Sequence, residues 1–205
     1  MALSPDQVAR LRLQSLGLTG PGVLGAGATP RDVVSQHLAM QAQDWTASRW
    51  AIGARLAAAG APATDAVVMG AYDAGAIVRG WPMRGTVHVV AAEDLRWLND
   101  LAGRRALSGV ARRWAMLGID EPFLERAREA ITELLSDGEP RTRDRLAAEL
   151  AGRGFPLDGG VRYHVIWYLT QTGSLVLGPV DPATGDHAVT LQHVHLPEPV
   201  ERAEA

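Results

Sequence analysis

The chain has 205 residues, no cysteine, 47% hydrophobic residues, and a formal net charge of −3 from 20 basic and 23 acidic side chains. This length allows one large domain or two small ones, and the lack of cysteine excludes a disulfide framework or a thiolate metal site. No apolar run reaches the roughly 20 residues of a membrane span, and residues 1–13 lack the basic-then-apolar layout of a signal peptide. The reading is a cytoplasmic protein with no membrane partner.

Every basic residue is arginine. The net negative charge argues against a nonspecific nucleic-acid binder, but the distribution is uneven. Residues 96–118 carry Arg96, Arg104, Arg105, Arg112 and Arg113 against the single acid Asp100, whereas residues 120–139 are strongly acidic. A local phosphate-binding face therefore remains open beside the plainer reading of two solvated helices.

In chain order, Ser4 as cap and Pro5 in the first turn predict a helix over 4–16, followed by a Gly/Pro-rich loop over 19–28. Thr29-Pro30-Arg31-Asp32 is a helix start, and Val33, Val34, His37, Leu38 and Gln41 follow at helical spacing. Further helices are predicted over 46–58 and 63–74. The periodicity then changes. Residues 76–79 and 86–90 are β-branched runs flanking a Pro-Met-Arg-Gly turn, a hairpin signal.

The order then recurs. A basic helix over about 93–117 leads to helices over 121–136, 142–152 and 160–172, and to strands over 174–177 and 188–191. Helices followed by a two-stranded hairpin is the order of a winged helix-turn-helix. The fold class is thus mainly α with small β hairpins (α+β), built as tandem winged helix-turn-helix units. The expected organisation is a first unit over 1–92 with its hairpin at 76–90, a basic connecting helix over 93–118, a second unit over 119–196, and a disordered tail over 197–205.

Candidate chemistry gathers at two places. Gln41, Gln43 and Asp44 pack two amides and a carboxylate behind an apolar stripe. On a helix Gln41 and Gln43 diverge by about 200°; on an extended segment they share a face. A joint role therefore predicts that the helix breaks near Met40. An amide carbonyl can orient a water or stabilise positive charge, which suffices when the leaving group is already activated, as in an alkylated purine with a cationic ring. Asp44 is the neighbouring group that can act as a true base. The second place is the hairpin, where Arg79, Trp81 and Arg84 suit a phosphate backbone or a groove; alternatively, Trp81 covers the core. His88 alternates with Val87 and Val89 and is expected at the surface or lightly buried.

The face of the 160–172 helix holding Arg162, Tyr163, His164, Trp167 and Gln171 has one arginine. It suits packing against another domain better than reading a major groove. His193 and His195, with His187 nearby, have strand spacing but no carboxylate at useful spacing, and no metal is assigned. The sequence holds no P-loop, nucleotide-binding glycine motif or metalloprotease motif.

The strings QAQDW, RWAIGAR, IVRGWPMRGTVHVVAAEDLRWL, TRDRLAAEL and HVIWYLTQTGSLVLGP, in this order and spacing over roughly residues 8–192, resemble the bacterial tandem winged-helix DNA glycosylases. Members excise alkylated bases and unhook interstrand cross-links. The resemblance implies that Gln41 and Gln43 match the family's Gln-x-Gln signature and position the water attacking the anomeric carbon. It further implies that the 76–90 hairpin engages double-stranded DNA near the lesion, and that no cofactor is needed. Family members carry a third winged-helix unit, so a further unit or a partner chain would complete the cleft. A non-catalytic DNA-binding regulator and a protein-interaction scaffold are the rival readings.

Overall fold

In the computed structural model, residues 2–20 and 24–197 are described, without the side chain of Arg104; most of the tail expected to be disordered lies outside these residues. The first repeat comprises α2 (Pro30–His37), β1 (Met40–Gln41), α3 (Trp45–Ala59), α4 (Asp65–Asp73), β2 (Ile77–Met83) and β3 (Thr86–Ala91), preceded by α1 (Pro5–Ser15). The caps explain the starts. Ser4 with Gln7 and Thr29 with Asp32 form capping boxes, while Asp44 and Thr64 accept from the third backbone amide beyond them.

The expected continuous helix over 93–117 is broken. α5 (Leu95–Leu98) passes through a π-helical stretch at Asn99–Gly103 into α6 (Arg104–Leu107), and α7 (Ala111–Leu117) starts afresh. The break has two local causes. The Ser108 hydroxyl donates to the Arg105 carbonyl at 2.8 Å, competing with helix continuation, and Gly109 follows, a poor helix former.

The second repeat comprises α8 (Glu121–Leu134), β4 (Arg141–Thr142), α9 (Arg143–Gly152), α10 (Gly159–Gln171), β5 (Leu175–Val180), β6 (His187–Leu191) and the one-turn α11 (Gln192–His195). α11 overturns the strand expectation for His193 and His195, which diverge on a helix.

The two repeats share one antiparallel sheet in the order β1-β3-β2-β5-β6-β4, and β2 meets β5 at Arg79 and Leu177. The register is repeated as well. Met40 and Gln41 pair with Val89 and His88, as Arg141 and Thr142 pair with Val189 and Ala188.

Alternation along β2 assigns its side chains. Ile77 enters the first repeat's core with Val34, Ile52 and Leu56; Trp81 enters the second repeat's core with Ile131, Leu146 and Leu169; Arg79 stands between them. Val78 points the other way, into a smaller core with Leu95, Leu98 and Val176.

β2 runs on to Met83, with an irregularity between Gly80 and Met83 where Pro82 has no N–H to give. The hairpin tip is therefore Arg84-Gly85, with φ of 52° and 68°, the two-residue turn with positive φ that fits strand twist. This moves Trp81 away from the tip, and it is 8% exposed. Part of the α10 face expected to pack does so: the Gln171 amide donates to the Trp81 carbonyl at 2.7 Å, and Trp167 lies against Gly85, while Tyr163 stays exposed.

Because Trp81 belongs to one repeat and fills the core of the other, Trp81→Ala is expected to cost about 3–5 kcal/mol. Denaturant unfolding followed by two probes is expected to remain a single coincident transition.

Candidate functional site

The segment holding Gln41 and Gln43 is extended because α2 is forced to stop. Leu38 takes φ 64° and ψ −51°, and the Ala39 amide donates to the His37 carbonyl at 2.7 Å. This is a tight γ-turn at a non-glycine residue, a conformation costing of order 1–3 kcal/mol. The chain leaves it directly into β1. Met40 and Ala42 are buried in the first core while Gln41 and Gln43 are exposed. The Ala42 amide continues the pairing by donating to the Val87 carbonyl at 2.9 Å. Gln41 and Gln43 thus share the sheet face that also carries His88, the residue directly across from Gln41.

The backbone beneath them is tied down. The Ser48 hydroxyl lies 3.0 Å from the Gln41 carbonyl and 2.6 Å from that of Asp44. Arg79 Nη2 donates to the Ala42 carbonyl at 2.5 Å. Asp44 spends its carboxylate on the N-terminus of α3, accepting from the Ala47 amide at 2.9 Å. Among the described residues the second repeat keeps the helix cap but not the extended segment before it. There Thr142 is both the end of β4 and the cap of α9, so the exposed pair has no counterpart.

Arg79, read from sequence as a phosphate contact, is 7% exposed. Its guanidinium lies 5.2 Å from the Trp45 ring centroid, a cation–π contact. Burial pulls its pKa down, and Arg143 adds to the effect. Behind it Trp45, Tyr72 and His187 form a ring cluster with centroids 4.8–5.5 Å apart. The Tyr72 hydroxyl bridges His187 Nδ1 at 2.8 Å and the Gly178 carbonyl at 2.7 Å. Burial raises the Tyr72 pKa. His187 is pushed down to about 3, by burial first and then by Arg79, Arg143 and Arg49.

A family model described as DNA glycosylase AlkZ-like matches residues 34–205. The chain belongs to this family. Among solved structures, the AlkZ DNA glycosylase of Streptomyces sahachiroi superposes with a TM-score of 0.70 at 22% identity, over 97% of this chain and 54% of that one. The likeness is one of fold, and the chain spans about half the length of that AlkZ chain. No curated protein matches.

Elsewhere on this AlkZ-like chain, the remaining arginines are spread out. Arg84 is exposed at the hairpin tip. With Arg105 it flanks a groove of about 930 Å³ whose floor includes Met83, Ala106, Val110 and Trp167. Arg104 opens α6. Arg112 and Arg113 are exposed on α7, and Arg113 Nη2 reaches the start of α10 at Gly160. Among the described residues there is no group of three His, Cys, Asp or Glu that could hold a metal, and no helix long and apolar enough to cross a membrane.

Sequence reasoning missed His88 and Ser48. His88 is 4% exposed rather than at the surface, because its face of β3 is covered around Gly80 by Leu95 of α5. The signal for His88 was its parity with Gln41, which becomes visible only once β1 is paired with β3.

His187 gives a pH prediction. Its folded pKa of about 3 lies below its ordinary 6.5, so from pH 6.5 down to 3 the unfolded chain holds a proton that the folded chain refuses. Stability is therefore expected to fall across this window by at most ~1.4 kcal/mol per pH unit. Denaturation midpoints at pH 7.5, 6 and 5 check this, and His187→Asn is expected to flatten the trend.

Proposed function

We propose that the chain binds damaged double-stranded DNA and hydrolyses the N-glycosidic bond of an alkylated base, with Gln41 and Gln43 orienting the attacking water. The observation that carries this reading is the exposed Gln41–Gln43 pair on one face of a pinned, extended segment that the second repeat lacks. Membership of the AlkZ-like family supports it, as does the name of the solved relative.

The chemistry asks little of the protein. A purine alkylated on its ring carries positive charge, so the C1′–N9 bond breaks without an added acid. Two amide carbonyls in a fixed frame can hold a water below C1′ and stabilise the positive charge that develops on the sugar. Reaching a base inside a duplex requires flipping it out, which costs a few kcal/mol, and less where the lesion already weakens stacking. Arg84, Arg104, Arg105, Arg112 and Arg113 would hold phosphates. Arg79 and Trp81, both buried, support the frame in this reading instead of touching DNA. Asp44 fixes the start of α3. A further winged-helix unit or a partner chain would close the cleft over the pair, and the cytoplasm is the expected compartment.

Base release from duplex DNA containing an alkylated guanine tests the reading. Gln41→Ala/Gln43→Ala is expected to lower release at least ~100-fold. Both side chains are exposed, so stability is expected to hold within about 0.5 kcal/mol. Salt-sensitive DNA binding with no base release by the parent chain would leave a non-catalytic DNA-binding module.

In the same duplex, Arg84→Ala is expected to weaken binding and to reduce the slope of log K against log salt by about 1. An unchanged slope would remove the hairpin tip from the DNA contact.

A further inference from the structure

His88 is the cross-strand partner of Gln41, and its ring is set in one state by the backbone around it. Nδ1 lies 2.8 Å from the Thr86 carbonyl. A carbonyl only accepts, so Nδ1 carries the hydrogen and Nε2 carries the lone pair. Nε2 has no hydrogen-bond partner among the described residues, in a side chain that is 4% exposed. The ring therefore offers one unpartnered acceptor, on the face of the sheet that carries both glutamines.

From these observations we propose that His88 Nε2 is the base that takes the proton from the water held by Gln41 and Gln43. The assignment rests on the glycosylase reading above.

As the water oxygen bonds to C1′, one O–H bond breaks and its proton passes to His88 Nε2. The C1′–N9 bond breaks at the same time, and its electron pair neutralises the cationic purine, which leaves uncharged. The sugar keeps a hydroxyl at C1′, and the imidazolium returns its proton to solvent. No oxidant, metal or further reactant is consumed.

The surroundings favour this role. Burial lowers the His88 pKa and Arg84 lowers it further, against the opposing pull of the Thr86 carbonyl; the ring is thus neutral and ready to accept at neutral pH. The facing positions on the neighbouring strands, Gln41 on β1 and Gly80 on β2, are uncharged. α5 approaches this face through Leu95, while Arg96 and Asp100 line a separate pocket with Asn99 and Gln171. Asp44, the other base considered, is engaged at the helix cap. In the second repeat the position equivalent to His88 is Ala188.

The test is single-turnover base release from the alkylated-guanine duplex between pH 4.5 and 8.5, for the parent and His88→Asn. Asparagine keeps a donor toward the Thr86 carbonyl and removes the titrating acceptor. The parent rate is expected to fall tenfold per pH unit below a break under pH 6.5. His88→Asn is expected to lose this limb and to run about 100-fold slower at pH 7.5, with DNA affinity retained.

The ring nitrogens of the parent, observed by NMR, are expected to show the Nδ1–H tautomer and a titration below 6.5. This readout stands even where the variant fails to fold. Base release by the parent with an unchanged rate and pH limb in His88→Asn overturns the assignment alone. An Nε2–H tautomer overturns it as well. No release by the parent at any pH overturns the glycosylase reading, and the role of His88 with it.

Discussion

The pairing of β2 with β5 is the constraint on which the molecule depends. It fuses two helix-and-hairpin repeats into one sheet, and at the join it places an arginine rather than an aliphatic side chain. Arg79 is nearly buried and, among the described residues, has no carboxylate in salt-bridge reach; its charge is met by the Trp45 ring and the Ala42 carbonyl. A buried cation partnered only in this way is costly. The geometry shows what the cost sustains: the guanidinium holds the β1–α3 connection from below. The seam and the candidate site are thus one mechanical unit, with Arg79 as the link.

The second theme is symmetry broken in one place. The two repeats agree in order, register and even the proline-interrupted inner strand, with Pro82 in β2 and Pro179 in β5. They part where β1 is followed by Ala42 and Gln43 before the Asp44 cap, whereas Thr142 ends β4 and caps α9 at once. Those two residues move an extended segment clear of the helix and let alternate side chains emerge together. The strained turn at Leu38 belongs to the same departure, since it ends α2 early enough for β1 to form. One repeat thus keeps only the shared frame, and the other carries the exposed glutamine pair on it.

How much of this could be read from the chain depends on how local the cause was. Thr29, Thr64 and Thr142 announce their helices because a cap acts on amides three residues away, and the break before Met40 followed from asking where two glutamines could meet. The interruption of the 93–117 helix was hidden because Ser108 and Gly109 look tolerable until their hydrogen bonds are drawn. Trp81 was left undecided between groove and core, and His88 was misplaced, for a different reason. Their burial is decided by segments distant in sequence, α10 for one and α5 with β1 for the other, and no periodicity within the hairpin encodes those neighbours. The partition of the Gln41–Asp44 cluster into exposed amides and a capping acid likewise needed coordinates.

The placement of Trp81 has a consequence for how such a chain can be divided or recombined. A gene fragment ending after the first hairpin would present an indole with no cavity to fill and an inner strand stripped of its neighbour, the kind of edge that recruits other chains. A fragment starting at the second repeat would inherit a hole where that indole belongs. With a core residue exchanged across the seam, neither half carries a complete core by itself. Evolution can add modules at its ends more readily than it can cut through its middle.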